Sequence, residues 1–469
     1  MSSVSIASGG LSPGEGDPEP HSLEGLHRSV PVPAQGAGFW RQWRAFTGPA
    51  FLVSVGYMDP GNWGTDLQAG AKFKYGLLWV VAAASAMAVV MQILSARLGL
   101  VTGKDLAQAC RDFYPAWTRW PNWLACEFAI AACDLAEVLG SAVALNLLFQ
   151  IPLFWAVIIT AFDVLLLLAL QGLGMRFIEA FILVLVMTIG GCYAIELFVL
   201  PPVGPDFPAM GQALLSPGLA QTGMAVVAIG IIGATVMPHN LYLHSALVQS
   251  RRVGTDEPAI RRAIRFNTLD TVIALSVAFL INAAILILAA MVFHGRDSVT
   301  VPGGEEVTFG DDTDWIRVAY LTLAPLLGTA AASLLFGVAL LASGQSSTIT
   351  GTMAGQVVME GFLRWRVRPW VRRLCTRMVA IIPAVLVIGL RGGGGVTDLL
   401  VLSQVILALQ LPFAMFPLLH FTTSRTRMGV FRNGWFLIAL GWGSAALITA
   451  LIVYGLPESL DKAWEVIVG

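Results

Sequence analysis

The sequence predicts an all-α integral membrane protein with eleven transmembrane helices, and three observations lead to that fold class. Hydrophobic residues make up 56% of the 469 residues and charged residues only 12%, which is about half the charged fraction usual in soluble domains. Eleven apolar stretches are each long enough to cross a hydrocarbon core of about 30 Å, which takes about 20 helical residues. Two of these stretches are interrupted by a polar tetrapeptide that contains proline. In lipid, such segments satisfy their backbone polar groups by forming helices.

The chain divides into a polar tail and a transmembrane domain. Residues 1–38 are rich in Gly, Pro, Ser and Glu, so we expect a disordered cytoplasmic tail that lacks the apolar run of a signal peptide. Residues 39–469 form the predicted transmembrane domain. Its spans, numbered 1 to 11 in chain order, are predicted near 46–71, 76–100, 122–149, 153–171, 176–200, 219–250, 267–293, 318–345, 373–391, 396–420 and 434–456.

Positive charges are distributed unequally between the two sides of this layout. Of the 28 Lys and Arg residues, 22 fall on one side. The six on the other side are Lys72, Lys74, Arg296, Arg317, Arg391 and Lys462. Because cytoplasmic loops carry the excess of positive charge, we expect a multi-pass protein of the cell membrane with its N-terminus inside and its C-terminus outside.

Composition also argues against some partners and sites. A net charge of −1 leaves no basic domain for nucleic acid. The number of cysteines is odd and no C-x-x-C spacing occurs, so we interpret them as free core thiols and not as disulfides or a zinc site. These cysteines are Cys110, Cys126, Cys133, Cys192 and Cys375.

The interrupted segments are segments 1 and 6. Their central tetrapeptides are Asp-Pro-Gly-Asn at 59–62 and Met-Pro-His-Asn at 237–240. Proline removes an amide donor and clashes with the preceding turn, so both helices should break there and leave carbonyls unpaired. The breaks are five segments apart, which predicts that segments 1–5 and 6–10 are inverted repeats, with segment 11 peripheral. Secondary transporters place a midplane site between such broken helices.

The side chains at the breaks favour a metal cation. An Asp at the membrane centre costs about 2.5 to 3.5 kcal/mol on insertion scales, so Asp59 requires a compensating partner. Asn62 adds an amide oxygen one turn later, and Met237 adds a thioether sulfur across the break. Sulfur favours manganese, iron, cobalt or cadmium over calcium. Taken singly, Met237 could equally be a packing residue and Asp59 a helix cap.

Three stretches carry a family resemblance: GYMDPGNWGTDLQAG at 56–70, GATVMPHNLYLHSAL at 233–247 and ASGQSSTITGTMAGQVVMEGF at 342–362. They resemble the signatures of the NRAMP family of proton-coupled manganese and iron transporters, which includes bacterial manganese importers. The resemblance extends from about residue 40 to 455 and treats the third stretch as cytoplasmic. It implies a LeuT-type fold that works by alternating access.

The resemblance also implies a set of metal-binding residues. They are Asp59, Asn62 and Met237, backbone carbonyls near Gly56 and Ala234, and Gln404 in some states. Many bacterial relatives have alanine where this chain has Gly56, a change that a carbonyl ligand tolerates. Relatives that move magnesium or aluminium are expected to lack the segment 6 methionine, so Met237 favours manganese or iron.

Proton coupling requires titratable groups inside the bundle. Segment 3 supplies Asp134 and Glu137 on one helical face, and His239 lies beside the metal-binding residues. In the family an acidic pair, a histidine and a segment 9 arginine form the proton route, and Arg377 resembles that arginine. Alternatively, His239 is a packing residue and the acidic pair forms a structural salt bridge to Arg377.

Three further polar residues are predicted to have lesser roles. Asp66 and Gln68 should face the outer vestibule, and Asn282 should hydrogen-bond across helices. The acidic residues near 305–314 are expected in an outer, solvated loop.

Together these features predict a secondary transporter, not an enzyme, that imports Mn²⁺ and Fe²⁺, and also Cd²⁺ and Co²⁺, with proton symport. Metal ions and protons would be its substrates and the bilayer its surroundings, with no resident cofactor and no obligate protein partner. A sodium-coupled carrier of amino acids would need no central Asp and Met pair. A membrane metalloprotease would need H-E-x-x-H, but His239 and His244 are five residues apart. An ion channel would move metal without coupled protons.

Overall fold

The predicted all-α class is confirmed, with one small exception. The protein is seen in a computed structural model that describes residues 22–34, 36–163, 173–199, 204–300, 306–310, 313–327, 329–391 and 396–468. Within these ranges the regular secondary structure is helical, apart from an isolated bridge between Val30 and Arg251 and an antiparallel hairpin of two short strands, β1 Ser298–Thr300 and β2 Glu306–Thr308.

The helices follow one another closely along the chain. Those of the first half are α1 Phe39–Phe46, α2 Pro49–Ser54, α3 Pro60–Phe73, α4 Leu78–Thr102, α5 Leu106–Phe113, α6 Arg119–Phe149, α7 Leu153–Thr160, α8 Met175–Phe198 and α9 Phe207–Leu215. Those of the second half are α10 Met224–Val236, α11 Pro238–Leu247, α12 Glu257–Val292, α13 Trp315–Leu327, α14 Ala330–Leu363, α15 Pro369–Arg391, α16 Val396–Thr423, α17 Arg425–Met428 and α18 Trp435–Val468.

The predicted number of eleven spans is not confirmed as such. Eight helical stretches in the described ranges are long and apolar enough to cross a membrane. Segment 1 does not meet that length because it is divided into the short helices α2 and α3. In segment 4 the described residues are 153–163, which include the eight-residue helix α7, and residues 164–171 of that predicted span lie outside the described residues. Helix α15, which begins with several arginines, is not among the eight stretches.

Both predicted helix breaks are present. A 3₁₀ turn, Val55–Met58, follows α2, and Asp59 then adopts an extended conformation with φ −69° and ψ 167°. The second break is at Met237, whose φ of 8° and ψ of 106° lie outside the helical region. Each break precedes a proline that opens the next helix, α3 or α11, where its missing amide hydrogen costs no hydrogen bond.

The third family-like stretch lies inside a helix, which corrects the predicted end of segment 8. Segment 8 was expected at 318–345, followed by a cytoplasmic run, but α14 continues to Leu363 and includes 342–362. The small polar residues of this run lower its hydropathy, yet their hydroxyls are satisfied, some by carbonyls of the same helix and others by groups on neighbouring elements. The hydroxyl of Thr352 donates to the Thr348 carbonyl at 2.8 Å, for example. Polarity alone therefore gave the wrong boundary.

Part of the N-terminal tail is packed against the transmembrane domain, so the prediction of disorder is wrong for residues 22–34. Leu23 is buried, and its amide donates to Glu360 Oε2 at 3.0 Å. Val30 is also buried, and its amide donates to the carbonyl of Ser250 at 2.9 Å. These backbone bonds hold a mainly polar segment that offers too few apolar side chains to reveal the contact in advance. The preceding tail residues lie outside the described ranges.

Small residues allow the helices to approach closely around the breaks, as is usual in membrane proteins. At Gly140 in α6, a methyl group would lie 2.1 Å from Cβ of Pro60, the first residue of α3. A larger residue at this position would push α6 away from the first break. The break is therefore enclosed by α6 on one side, and its residues are buried.

Candidate metal and proton site

The two helix breaks face each other in the interior of the bundle. A methyl group on Gly56 would lie 3.1 Å from Met237 Sδ and 2.3 Å from Asn240 Nδ2. The Asn240 amide donates to that sulfur at 3.5 Å. Asp59 and Met237 are both 0% exposed. The oxygen and sulfur groups that the sequence placed on separate segments thus border one enclosed region.

Asp59 is both a helix cap and a charged group with a second oxygen to offer. Its Oδ1 accepts from the amide of Asn62 at 2.9 Å and so caps α3. Its Oδ2 is 3.9 Å from the thiol of Cys133, which is a weak donor. The Oδ1 atom of Asn62 has no hydrogen-bond partner among the described residues. Capping therefore uses one carboxylate oxygen and leaves two side-chain oxygens for another ligand.

The prolines at the breaks also affect the carbonyls of Gly56 and Ala234. In an α-helix each carbonyl accepts from the amide four residues later, and those positions are Pro60 and Pro238. Neither proline has an amide hydrogen to donate. By contrast, the neighbouring carbonyl of Tyr57 is occupied, because the side chain of Asn282 donates to it at 2.8 Å, as predicted for that residue.

Gln404 in α16 lies against the first turn of α3. A methyl group on Gly61 would be 1.8 Å from Gln404 Nε2, and one on Gly233 would be 2.0 Å from the Gln404 carbonyl. Its Nε2 donates to Ser403 at 3.0 Å, whereas its Oε1 has no partner among the described residues. The structure therefore brings Gln404 beside both broken helices, close to Ala234, with one oxygen unused.

A cluster of buried charges connects α6, α14 and α15. Arg373 forms ion pairs through Nη1 with Asp134 and through Nη2 with Glu137 Oε2, the latter at 2.8 Å. The hydroxyl of Ser347 donates to Glu137 Oε1 at 2.9 Å. A methyl group on Gly351 would lie 2.9 Å from the same oxygen, so α14 can approach only because this residue is glycine. The acidic pair is therefore bound by Arg373 of α15 on one side, and Glu137 also accepts a hydrogen bond from Ser347 of α14.

The arginine that binds the acidic pair most directly differs from the predicted one. Arg377 reaches Glu137 only at 3.5 Å and forms an ion pair with Asp163, which sequence analysis did not single out. Arg373 was assigned to the cytoplasmic edge because segment 9 was expected to begin there. Since α15 begins at Pro369, Arg373 lies one turn inside the helix. An error of four residues in a helix boundary thus concealed the main partner of Asp134.

Cys133 lies between the metal-binding residues and the charge cluster, and His239 is a second buried side chain near that cluster. Cys133, which we had interpreted as a core thiol, is 3.9 Å from Asp59 Oδ2 and 3.7 Å from Glu137 Oε1. The signal available in the sequence was its position four residues before Glu137, on the same helical face. His239 is buried, and its Nδ1 has no hydrogen-bond partner among the described residues. It is within electrostatic range of Asp134 but forms no hydrogen bond with it.

The residues expected in the outer vestibule are enclosed in this conformation. Asp66 and Gln68 are buried, and Asp66 Oδ2 and Gln68 Oε1 have no partner among the described residues. Their burial shows that no open vestibule reaches them in this conformation, and a vestibule position stays a prediction. Both belong to α3, beyond Asn62, and are covered by the surrounding helices.

The donor set at the breaks can hold a cation without retaining it permanently. It combines one carboxylate with neutral amide, thioether and carbonyl groups, so a divalent ion would be only partly neutralised. Resident metals in proteins usually have several charged or imidazole ligands. The arrangement is suited to a cargo ion that must be released.

Comparisons with known proteins agree with this architecture. The family described as "Natural resistance-associated macrophage protein-like" (Nramp) matches residues 50–458. A "Divalent metal cation transporter MntH" of Nostoc sp. is 51% identical over 440 residues, which are 94% of this chain and 96% of that protein. A protein of the same name from Mesorhizobium japonicum is 48% identical over 439 residues, covering 93% and 94% of the two chains.

Solved structures support the fold and the relationship. The crystal structure of the Eremococcus coleocola manganese transporter, in complex with an aromatic bis-isothiourea compound, matches with a TM-score of 0.82 and 38% identity over 94% of this chain and 91% of that chain. Mhp1, a nucleobase-cation-symport-1 family transporter in a closed conformation, matches at 12% identity with a TM-score of 0.56, a likeness of fold alone. The fold is LeuT-like, and the chain belongs to the Nramp family, which is a family of transporters and not of enzymes.

Proposed function

We propose that this protein imports divalent transition-metal ions, chiefly Mn²⁺ and Fe²⁺ and also Cd²⁺ and Co²⁺, by alternating access and together with protons. The observation that carries the proposal is the meeting of Asp59, Asn62 and Met237 at two facing helix breaks. Relatives named divalent metal cation transporters and a solved manganese transporter support the same substrate class.

The metal would be held by Asp59, Asn62, Met237 and the carbonyls of Gly56 and Ala234, with Gln404 joining in some states. Oxygen groups suit Mn²⁺ and Fe²⁺, which are intermediate in hardness, and the single thioether disfavours Ca²⁺ and Mg²⁺ relative to softer ions. Metal ions and protons are cargo in this proposal. It requires no resident cofactor and no protein partner.

The enclosure of the site supports the proposal of alternating access. On the side assigned to the cytoplasm, the amides of Gly48 and Ala50 donate to Asp270 at 3.2 and 3.0 Å. Arg251 pairs with Glu179 at 2.6 Å and donates to the Thr47 carbonyl at 2.7 Å. These contacts tie the start of α2 to α8 and α12, so they must separate before a metal ion can leave inward. The orientation used here, with the N-terminus cytoplasmic, is part of the proposal.

Proton symport is proposed because the charge cluster lies beside the metal-binding residues. Asp134, Glu137, His239 and Arg377 would carry or position the protons, with Arg373 as the direct partner of the acids. Buried ionisable groups inside a membrane bundle are costly, and proton relays are one of the few functions that retain them.

The test uses the purified full-length protein in proteoliposomes that contain a metal-sensitive dye and a pH-sensitive dye. We expect Mn²⁺ and Fe²⁺ to enter with protons, faster from an acidic outside and without a requirement for sodium, while Mg²⁺ and Ca²⁺ enter poorly. Asp59→Ala should abolish uptake, because it removes the carboxylate at the first break. The surface variant Glu257→Gln, half-exposed in an ion pair with Arg261, is the matched control and should keep wild-type rates.

Each competing function predicts a different result in the same assay. Metal entry without protons would indicate a channel, and a requirement for sodium with an amino acid would indicate a carrier of another class. Wild-type uptake by Asp59→Ala would show that the metal site lies elsewhere.

A further inference from the structure

A third buried carboxylate belongs to the charge cluster, on a segment that sequence analysis did not connect with it. Asp163 follows α7, and its side chain is 3% exposed. It forms an ion pair with Arg377 and lies 4.0 Å from Arg373 Nη2. Its Oδ2 is also 3.3 Å from the hydroxyl of Thr348. The cluster therefore extends from α6 across α14 and α15 to the fourth predicted segment.

The charges of this cluster do not balance when every group is ionised. Asp134, Glu137 and Asp163 would carry three negative charges against the two positive charges of Arg373 and Arg377. All five side chains are almost completely buried, and an uncompensated charge in such surroundings is expensive. One proton on the three carboxylates removes the imbalance.

Among the described residues, the other polar and titratable groups that face the cluster do not supply the missing positive charge. Arg372, on α15, is already paired with Glu127 at 2.8 Å. Asp59 is within electrostatic range of Glu137 and would add a further negative charge. The other groups are neutral hydroxyls, a thiol and an imidazole that forms no hydrogen bond with the acids. These are Ser347 and Thr348 of α14, Thr376 of α15, Cys133 of α6 and His239 of α11.

The position of Thr348 indicates where such a proton can move. Its Oγ1 is 3.2 Å from Glu137 Oε2 and 3.3 Å from Asp163 Oδ2. A hydroxyl has one hydrogen and can donate to only one of these oxygens at a time. The other carboxylate oxygen then faces the lone pairs of the hydroxyl oxygen. It avoids repulsion from them when it carries a proton of its own and donates to the hydroxyl. Arg377 donates to the same hydroxyl at 3.3 Å and fixes its position.

We propose that Asp163 is a third proton-carrying carboxylate of the transport pathway, and that protons pass between Glu137 and Asp163 through the hydroxyl of Thr348. In one transfer, the protonated Glu137 gives its proton to Thr348 Oγ1, while the hydroxyl gives its own hydrogen to Asp163 Oδ2. The hydroxyl keeps one hydrogen, Glu137 becomes ionised and Asp163 becomes neutral. This inference rests on the proton symport proposed above.

Two pairs of variants test the inference in proteoliposomes. Thr348→Val removes the hydroxyl at almost constant volume, and Thr348→Ser keeps it. Asp163→Asn removes the acid at constant size, and Asp163→Glu keeps it. We expect Thr348→Val and Asp163→Asn to lower the number of protons entering per Mn²⁺, with a proton flux about tenfold slower. Thr348→Ser and Asp163→Glu should retain coupling, and Mn²⁺ affinity measured by calorimetry should stay within about twofold of wild type in all four.

A purely structural role for Asp163 gives a different pattern. In that case Asp163→Asn would lower the melting temperature and slow metal and proton entry in the same proportion, so that protons per Mn²⁺ stay at the wild-type value. That result, or wild-type coupling in Thr348→Val, would overturn the inference. If Asp163→Asn fails to fold, the Thr348 pair still decides. Failure of this inference can be distinguished from failure of the proposed proton symport. In the second case the wild-type protein itself would show no proton entry coupled to Mn²⁺.

Discussion

The chemistry of Met237 separates a transition-metal carrier from a general divalent-cation carrier. Its sulfur lies at the second break, 0% exposed, where a methyl group on Gly56 would approach it to 3.1 Å. Among the groups assigned to the metal, it is the one soft donor, so its loss should affect Cd²⁺ more than Mn²⁺. We expect Met237→Ala to weaken Cd²⁺ uptake by about 1.4 kcal/mol more than Mn²⁺ uptake, which is about tenfold.

Packing must be separated from ligation in this experiment. Met237 belongs to a small buried cluster that includes Cys133 and Leu407, and truncating a buried methionine to alanine costs about 2–5 kcal/mol of stability. Met237→Leu is the matched control, because it fills nearly the same volume without sulfur. If ligation is the cause, Met237→Leu should lose the preference for Cd²⁺ while its melting temperature stays near that of the wild type.

The assay is competition in one preparation, because selectivity is a difference between affinities. Mn²⁺ uptake is measured against increasing Cd²⁺ or Ca²⁺ for the wild type and both variants. Ca²⁺ should inhibit Met237→Ala more strongly, since water or oxygen can occupy the place of the thioether. Equal losses for Mn²⁺ and Cd²⁺ with unchanged inhibition by Ca²⁺, or wild-type Cd²⁺ preference in Met237→Leu, would refute the reasoning.

Three further predictions use the same proteoliposomes. Asn62→Ala should lower Mn²⁺ affinity by about tenfold with little change in melting temperature, because the Asn62 Oδ1 atom has no hydrogen-bond partner among the described residues. If the Mn²⁺ affinity measured by calorimetry is unchanged, Asn62 is not a metal ligand. Asp134→Asn and His239→Ala should each lower proton entry per Mn²⁺ more than they lower Mn²⁺ affinity, and a collapse of affinity at constant stoichiometry would reverse these roles. Arg373→Lys should reduce coupled uptake more than Arg377→Lys, since one ammonium cannot replace two guanidinium nitrogens that bind two acids; equal rates would contradict that difference.

The features that could be predicted from the sequence are those that depend on local chemistry. The breaks at Asp59 and Met237 were predictable because each proline there belongs to a polar tetrapeptide, whereas the prolines within α15, α16 and α18 lie inside continuous helices. The all-α class followed because lipid leaves few other ways to satisfy the backbone. The hydrogen bond of Asn282 could be expected because a buried amide requires a partner.

The features that were missed depend on tertiary contacts or on helix ends. Arg373 was assigned to the wrong environment because a helix boundary was misplaced by four residues. Cys133 was interpreted as a core thiol although it stands four residues before Glu137 on the same helix, whereas only packing brings Asp163 to Arg377. The tail segment with Val30 is held by backbone bonds to residues more than 200 positions away, which no local pattern records.

Cys133 also suggests how metal entry and proton movement could be linked in the proposed mechanism. Its thiol lies between Asp59 Oδ2 and Glu137 Oε1, so only one side chain separates the carboxylate assigned to the metal from the charge cluster. Two positive charges at Asp59 would raise the energy of a proton held on the cluster by a few kcal/mol, at an effective dielectric constant of about 20. A metal ion bound there therefore favours release of that proton, and symport requires that the proton leave through the cluster to the same side as the metal ion, with the next proton entering from the outside after the metal ion has left. Coupling then requires no direct contact between the two ions, because the electrostatic field acts through the face of α6 that carries Cys133 and Glu137.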